Sequence, residues 1–152
     1  MGDALTIVQI RDARHDDLAD IVRIERLCFS QPWSQGSFER ELTLPFSRLA
    51  VARVNSDTIG FLCRWLIAQE CHVLNIAVHP DRRRNGIGSR LLTWALTEAR
   101  VKGARFITLE VRRTNLAARS LYRKFQFEER RLRRNYYGPG EDAVVMERRL
   151  TA

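Results

Sequence analysis

Residues 71–92 have the sequence CHVLNIAVHPDRRRNGIGSRLL, which joins an apolar run, a basic loop with two glycines and the start of a helical repeat. The run at 71–79 is nearly continuous in apolar character, as is typical of a central strand covered on both faces. Gly86 and Gly88 allow backbone N–H groups to approach a ligand closely, and the positive end of the following helix favours an anion. We therefore predict a strand, a loop and a helix that cradle a pyrophosphate, with glycines that serve turn geometry alone as the alternative.

The spacing of this loop differs from two common phosphate loops. A P-loop requires GxxxxGK[ST], but the two glycines here are two residues apart and no such lysine follows. A dinucleotide fingerprint requires GxGxxG, and Leu91 occupies the place of its third glycine. The segment matches R-x-x-G-x-G instead, through Arg83, Gly86 and Gly88.

The remaining pattern predicts one α/β (α+β) domain over residues 1–152. We expect the order β-α-α-β-β-β-α-β-α-β-β, with strands at 5–11, 47–54, 58–68, 71–79, 105–111, 127–136 and 142–150, and helices at 15–29, 34–44, from 88 to Lys102-Gly103, and 115–125. The strands at 71–79 and 105–111 are joined through a helix, so they should form a right-handed parallel βαβ unit.

Composition limits the class of protein. The chain has 152 residues, a net charge of +8 and 45% apolar residues, without an apolar stretch long enough to cross a membrane. Its three cysteines form no CxxC pair, which disfavours a disulfide framework or a zinc site and favours the cytoplasm. We predict no signal peptide. Met1-Gly2 and Thr6 match the loose pattern for myristoylation, but we expect the first strand to begin at residue 5, which disfavours lipidation. The positive charge fits either a solvated surface or an anionic partner.

Two further segments carry candidate chemistry. Strand alternation places Glu110 on one face with Phe106 and Thr108, where a carboxylate is costly unless it is partnered or functional. The alternative is that this strand end already lies in solvent. Asn115 and Tyr122 are seven residues apart, which is two helical turns, so both side chains point the same way. Alternatively, Asn115 is only a helix cap and Tyr122 is only a tyrosine at the edge of the core.

Taken in order, the strand, R-x-x-G-x-G, the helix, LEVR at 109–112 and NLAARSLY at 115–122 resemble the core of the GNAT superfamily. The segments CFSQPWS at 28–34, RNYY at 134–137 and EDAVVM at 141–146 resemble the ribosomal-protein-alanine N-acetyltransferases, the RimI-like group. This resemblance implies a GNAT fold, with a central mixed, mostly antiparallel sheet, a parallel βαβ core and helices on both faces.

The resemblance also implies roles for individual residues. It makes Glu110 the general base, Tyr122 the proton donor to the leaving thiolate and the Val78 N–H a donor to the oxyanion. The implied cosubstrate is acetyl-CoA without a metal, used in direct transfer, and its positions are Ile76, Ala77, Val78, Arg83, Arg84, Asn85, Gly86, Ile87, Gly88, Ser89 and Asn115. The acceptor peptide is expected near Trp33, Tyr136 and Tyr137.

The implied acceptor is the N-terminal alanine of a protein, in particular a small-subunit S18-like ribosomal protein. An α-amino group has a pKa of about 8, so it loses its proton more readily than a lysine side chain. Two alternatives stay open: a GNAT that acetylates a lysine or a small-molecule amine, and a basic RNA- or ribosome-binding module without catalysis. Weak ribosome or RNA association could accompany catalysis, and no membrane partner is expected.

One departure from the family pattern concerns the end of the last helix. Phe125-Gln126-Phe127 has glutamine where the family usually has glycine. A left-handed conformation there would cost glutamine about 1 kcal/mol relative to glycine.

Overall fold

A computed structural model describes residues 7–150. Its strands are β1 Val8–Asp12, β2 Ser47–Val54, β3 Asp57–Ile67, β4 Glu70–Val78, β5 Phe106–Arg112, β6 Glu128–Gly138 and β7 Glu141–Arg149. Its helices are α1 Leu18–Cys28, α2 Gln35–Thr43, α3 Ile87–Val101 and α4 Leu116–Lys124. The predicted order of strands and α-helices is confirmed. Short 3-10 turns at His15–Asp17 and Pro80–Arg82 were not predicted, and residues 1–6, with the start of the expected first strand and the myristoylation pattern, lie outside the described residues.

The strands form one seven-stranded sheet in the order β1-β2-β3-β4-β5-β7-β6. β4 and β5 are parallel, with pairs from Glu70↔Phe106 to Val73↔Leu109, and α3 lies between them in the chain. β1 and β2 pair antiparallel, as do β5 and β7 and also β6 and β7. The predicted fold class, a mixed and mostly antiparallel sheet with one parallel pair, is confirmed.

The described chain divides into two compact units. The first consists of the chain up to Arg64 together with Asn75–Ala95. Its core contains fully buried side chains from α1, α2, β3 and α3, and the rings of Phe38 and Phe61 meet edge to face at 5.5 Å. Ser34, the first residue of the helix predicted at 34–44, is the N-cap of α2, because its hydroxyl accepts the Ser37 N–H at 3.1 Å.

The second unit consists of Trp65–Leu74 and the chain from Leu96 onward. Alternate residues of β5 are buried, and Met146 of β7 packs in the same core. The ring of Tyr122 on α4 lies 5.9 Å from that of Phe127, with both side chains buried. The prediction that residues 1–152 form a single domain stays a prediction.

Helices α3 and α4 end in the same hydrogen-bonded motif. After α3 the Gly103 and Ala104 N–H groups donate to the carbonyls of Arg100 and Ala99; after α4 those of Gln126 and Phe127 donate to the carbonyls of Arg123 and Tyr122. This is the Schellman arrangement, which needs a left-handed residue just past the helix. Gly103 has φ +81°, and Gln126 has φ +67°. The expected strain at Gln126 is therefore present.

Gln126→Gly should stabilise the fold by roughly 0.5–1 kcal/mol, because a left-handed conformation carries no side-chain penalty in glycine and this outweighs the greater freedom of the unfolded chain. Gly103→Ala, at the equivalent position of α3, should destabilise it by about 1 kcal/mol. Urea unfolding of both variants measures the two changes. An unchanged or lower stability for Gln126→Gly would contradict a strain that glycine relieves.

Candidate functional site

The loop before α3 leaves backbone donors open to a ligand. Gly86 has φ +77° with no atom within 4 Å of where a Cβ would lie, and Arg84 has φ +69°. The Gly86 carbonyl accepts the Arg90 N–H at 3.0 Å, so α3 begins directly after it. The N–H groups of Ile87, Gly88 and Ser89 form the first turn, which has no partner within the helix. A left-handed glycine, free space and a helix N-terminus together form an anion cradle.

The predicted cofactor residues lie along this cradle and the strand before it. Ile76, Ala77 and Val78 end β4; Arg83, Arg84, Asn85 and Gly86 are exposed in the loop; Ile87 is buried, while Gly88 and Ser89 are half-buried. Arg83 donates to the Val78 carbonyl at 3.4 Å and to the Cys28 sulfur at 3.3 Å. These contacts hold one guanidinium against the strand end, while Arg84 makes no hydrogen bond or ion pair among residues 7–150.

A buried carboxylate fixes the segment that carries Trp33. Glu25 is 1% exposed; its two oxygens accept the Trp33 N–H at 3.0 Å and the Asn75 side-chain N–H at 2.8 Å. Burial raises the pKa of the Glu25 carboxyl, and the two hydrogen bonds oppose that rise. The Trp33 ring packs 5.2 Å from that of Phe38. Trp33, a predicted acceptor residue, is thus held through its backbone to α1 and through its ring to α2.

Glu110 is paired with a histidine. Its Oε1 lies 2.8 Å from Nε2 of His72, and its Oε2 lies 3.8 Å from the Arg133 guanidinium. The Glu110 side chain is 11% exposed. Burial raises its pKa, but the His72 hydrogen bond and the charges of His72, Arg133 and Arg131 outweigh this, so the pKa of Glu110 is lowered. The alternative of a strand end in open solvent is wrong, and Glu110 is a carboxylate at neutral pH.

Tyr122 is protonated at neutral pH. Burial, with a smaller effect of Tyr137, raises its pKa to about 12. Asn115 is the N-cap of α4, because its side-chain oxygen accepts the Ala118 N–H at 3.1 Å. The cap role that we kept as the alternative for Asn115 is therefore present, and the helix begins one residue later than predicted.

The two predicted acceptor tyrosines lie on β6 beside arginines. Their rings meet edge to face at 4.9 Å; the Arg112 guanidinium lies 4.3 Å from the Tyr137 ring and that of Arg133 lies 4.6 Å from the Tyr136 ring. Burial and the Glu110 charge are among the causes that raise the pKa of both phenols, that of Tyr137 to about 12. β6 continues to Gly138, so Tyr137 lies within the strand and not beyond the end predicted at residue 136. Neutral phenols and fixed cations therefore lie near the Glu110 carboxylate.

Sequence reasoning missed His72 and the hydrogen-bonding role of Glu25. The parallel register sets His72 opposite Thr108, whose side chain shares a face with Glu110, so strand alternation together with that register would have found the pair. Glu25 follows Ile21 and Val22 at helical spacing on a buried face of α1, which is an unusual place for a carboxylate.

Neither a metal-binding cluster nor a membrane-spanning helix is found among residues 7–150. Residues 7–150 contain no group of three or more His, Cys, Asp or Glu side chains that could hold a metal ion. Within the same range, no helix is long and apolar enough to cross a membrane. All three cysteines are free thiols.

Comparison with known proteins gives consistent matches. The sequence profile of the acetyltransferase (GNAT) family matches residues 18–127. The chain is 34% identical over 138 residues to the [ribosomal protein bS18]-alanine N-acetyltransferase of Escherichia coli K12, covering 86% of this chain and 89% of that protein. It is 32% identical over 151 residues to an N-alpha-acetyltransferase of Sulfurisphaera tokodaii, covering 91% and 90%.

The solved structures agree with these relatives. The crystal structure of the ribosomal-protein-S18-alanine N-acetyltransferase from Escherichia coli matches with a TM-score of 0.88 at 30% identity, covering 96% of each chain. The similarity thus extends over nearly the whole chain.

His72→Ala should raise the pKa of Glu110, because the effect of burial would then be opposed only by arginine charges. Carbon-13 NMR titration of the glutamate carboxyls measures this change. His79→Ala, which removes a histidine that does not contribute to the Glu110 pKa, should leave it unchanged. An unchanged pKa of Glu110 in His72→Ala would contradict this prediction and would show that the arginine charges alone keep the carboxylate ionised.

Proposed function

The chain belongs to the GNAT acetyltransferase family, and from this premise we propose that it acetylates the α-amino group of an N-terminal alanine, on a ribosomal protein of the S18 type. It is an acetyl-CoA-dependent N-acetyltransferase. Support for the finer substrate comes from relatives whose names state that reaction and from the chemistry of Glu110.

The observation that carries the proposal is the ionised, largely buried carboxylate of Glu110 beside His72. Only a neutral amine attacks a thioester, and an α-amino group with a pKa of about 8 is partly neutral near pH 7. A carboxylate with a lowered pKa is a weak base, yet it suffices to take the proton that this amine releases during attack, directly or through one water. The nearby Arg133 and Arg131 charges further disfavour the ammonium form of a bound amine.

The loop before α3 suits the pyrophosphate of acetyl-CoA. The open, left-handed Gly86 and the first-turn N–H groups of α3 would hold the phosphates, with positive charge from Arg83 and Arg84. Acetyl-CoA supplies the activated thioester. In our proposal Ile76, Ala77 and Val78 contact its pantetheine arm, and Asn115 also contacts the cofactor.

In the proposed reaction the acetyl group passes directly from acetyl-CoA to the amine, without an acyl-enzyme intermediate. The amine nitrogen bonds to the thioester carbonyl carbon, and the Val78 N–H stabilises the charge on its oxygen. The carbon–sulfur bond then breaks, and the Tyr122 phenol, with its pKa raised to about 12, gives its proton to the leaving thiolate. The amine proton passes to Glu110. Glu110, whose pKa is lowered, thus serves as the base, and Tyr122, whose pKa is raised, serves as the acid.

We assign the acceptor peptide to Trp33, Tyr136 and Tyr137. Their aromatic rings and fixed backbone suit an extended chain terminus. The name of the Sulfurisphaera relative states only N-alpha-acetyltransferase, which supports the α-amino group more broadly than one acceptor protein. We place the reaction in the cytoplasm, because three free thiols suit a reducing compartment. The net charge of +8 supports a weak association with ribosomes or RNA.

A hexapeptide that begins Ala-Arg should be acetylated, and the same peptide with a blocked N-terminus should not. Glu110→Gln should lower kcat/KM by about 10²–10⁴-fold, the usual contribution of a general base. Glu128→Gln removes an exposed carboxylate of the same unit and should have little effect. Thiol release from acetyl-CoA measures all four reactions.

The pH profile separates the acceptor classes. With an N-terminal amine, kcat/KM should level off above about pH 8, whereas a lysine acceptor would make it rise towards about pH 10. Equal transfer to the blocked peptide would move the acceptor to a side chain. Binding of acetyl-CoA without transfer to either peptide would refute this substrate and leave the enzyme class intact.

Gly86→Val should weaken acetyl-CoA binding about tenfold, because a left-handed conformation costs a side chain about 1–2 kcal/mol and the loop must shift. Calorimetric titration with acetyl-CoA measures the affinity. Gly36→Ala on α2 is the matched control, since its new methyl group would meet only the Ser34 hydroxyl at 3.8 Å. Unchanged affinity in Gly86→Val would exclude this loop as the cradle.

A further inference from the structure

The positive charge is concentrated in the second unit. That unit carries 14 Lys and Arg against 8 Asp and Glu, so it holds six of the eight net positive charges of the chain. Twelve of its 14 basic residues are arginines. A planar guanidinium binds phosphate through two hydrogen bonds and stacks on flat rings, which an ammonium group does not do.

A cavity of about 330 Å³ lies among these arginines. Its lining includes Arg113, Arg119, Arg130 and Arg131, which we call the arginine cleft, together with Glu129 and Leu132. The lining carries four cations and one carboxylate, and the carboxylates of Glu128, Asp142 and Glu147 pair with Arg113 and Arg130 from outside it. Leu132 is 41% exposed and contributes an apolar surface. The cleft therefore offers both an anion site and a place for a flat ring.

Part of this charge can meet a ligand, because the four arginines differ in how firmly they are held. Arg119 is fixed, because it donates to the Glu129 carboxylate at 2.8 Å and to the Arg113 carbonyl at 2.7 Å. The side chains of Arg113 and Arg130 are themselves well exposed, and their ion pairs, at 3.4–3.7 Å, are long, so each contributes little. The side chain of Arg131 makes no hydrogen bond or ion pair within the described part of the chain. One arginine is thus a rigid anchor, and three can reorient.

The neighbouring strand β6 extends this surface. β6 is an edge strand, and its residues from Glu128 to Tyr136 are all exposed. Arg134 on it makes no hydrogen bond or ion pair among residues 7–150. The pairing of β6 with β7 is irregular between Glu129 and Arg131 and again after Arg133, and Asn135 has φ +55°. Such irregularity opposes the addition of another strand, so a partner would contact side chains rather than the strand's backbone.

We infer that the arginine cleft and Arg134 bind single-stranded RNA. Its phosphates would pair with the guanidinium groups, and a base would stack on an arginine above Leu132. The irregular edge disfavours an acidic peptide that binds as a strand, whereas a chain of phosphates needs only spaced cations. This inference rests on the proposed function, because it gives the proposed RNA association a surface. Of the cleft residues only Arg131, whose charge also helps to lower the pKa of Glu110, bears on the proposed reaction, and it is left unchanged in the test below.

The test compares two variants with the same loss of charge. The patch variant carries Arg113→Ala, Arg130→Ala and Arg134→Ala, and the control variant carries Arg26→Ala, Arg40→Ala and Arg105→Ala at exposed positions elsewhere. Fluorescence anisotropy with an oligouridylate of about 20 nucleotides, between about 50 and 200 mM salt, gives Kd and its salt dependence. Acetylation of the Ala-Arg peptide is measured on the same samples.

The patch variant should bind the oligonucleotide on the order of 100-fold more weakly near 0.1 M salt, with a log–log salt slope smaller by about 2. The control variant should stay within a few-fold of the parent chain, and both should acetylate the free peptide normally. An equal loss of RNA affinity in the two variants would show that binding depends only on the net charge of the protein, and it would overturn the inference. Tighter binding of poly-glutamate than of RNA would also overturn it. Loss of peptide acetylation with RNA binding intact would instead count against the proposed function.

Discussion

The parallel pairing of β4 with β5 is the constraint on which the candidate site depends. It sets His72 opposite Thr108, so that the histidine shares a face with Glu110 two residues further along. A carboxylate that is largely buried needs a partner, and this register supplies one from a strand that is distant in sequence. Since side chains alternate along a strand, a shift of one residue would turn His72 to the other face and leave Glu110 without its main hydrogen bond.

Glu25 and Glu110 illustrate how surroundings decide what a carboxyl group does. Both are largely buried and both accept hydrogen bonds. Glu110 faces a histidine and two arginines, which lower its pKa, whereas Glu25 has only neutral N–H donors and its pKa is raised. The first is therefore suited to accept a proton, and the second to hold the backbone of Trp33 in place.

Much of the architecture could be predicted because hydrophobic periodicity, glycines and caps are local properties of the sequence. The order of elements, the cap at Ser34 and the strain at Gln126 all follow from neighbouring residues. What could not be predicted depends on which strands pair and in what register. His72 therefore escaped notice, the extent of β6 through Tyr137 was misjudged, and the arginine cleft could not be seen, since it brings together residues of α4, β6 and the segment between β5 and α4.

The hydrogen bonds of Glu25 also bear on the order in which the chain folds during synthesis. Glu25 and its partner Asn75 are 50 residues apart, and the first unit resumes only at Asn75 after the excursion of residues 65–74. A ribosome therefore releases α1 well before the Asn75 amide that bonds to Glu25 exists. Long-range contacts of this kind form slowly because loop closure must come first. The bond from the Trp33 N–H to Glu25 spans only eight residues and can form first, whereas the other oxygen of Glu25 gains its amide partner only once β4 has been made.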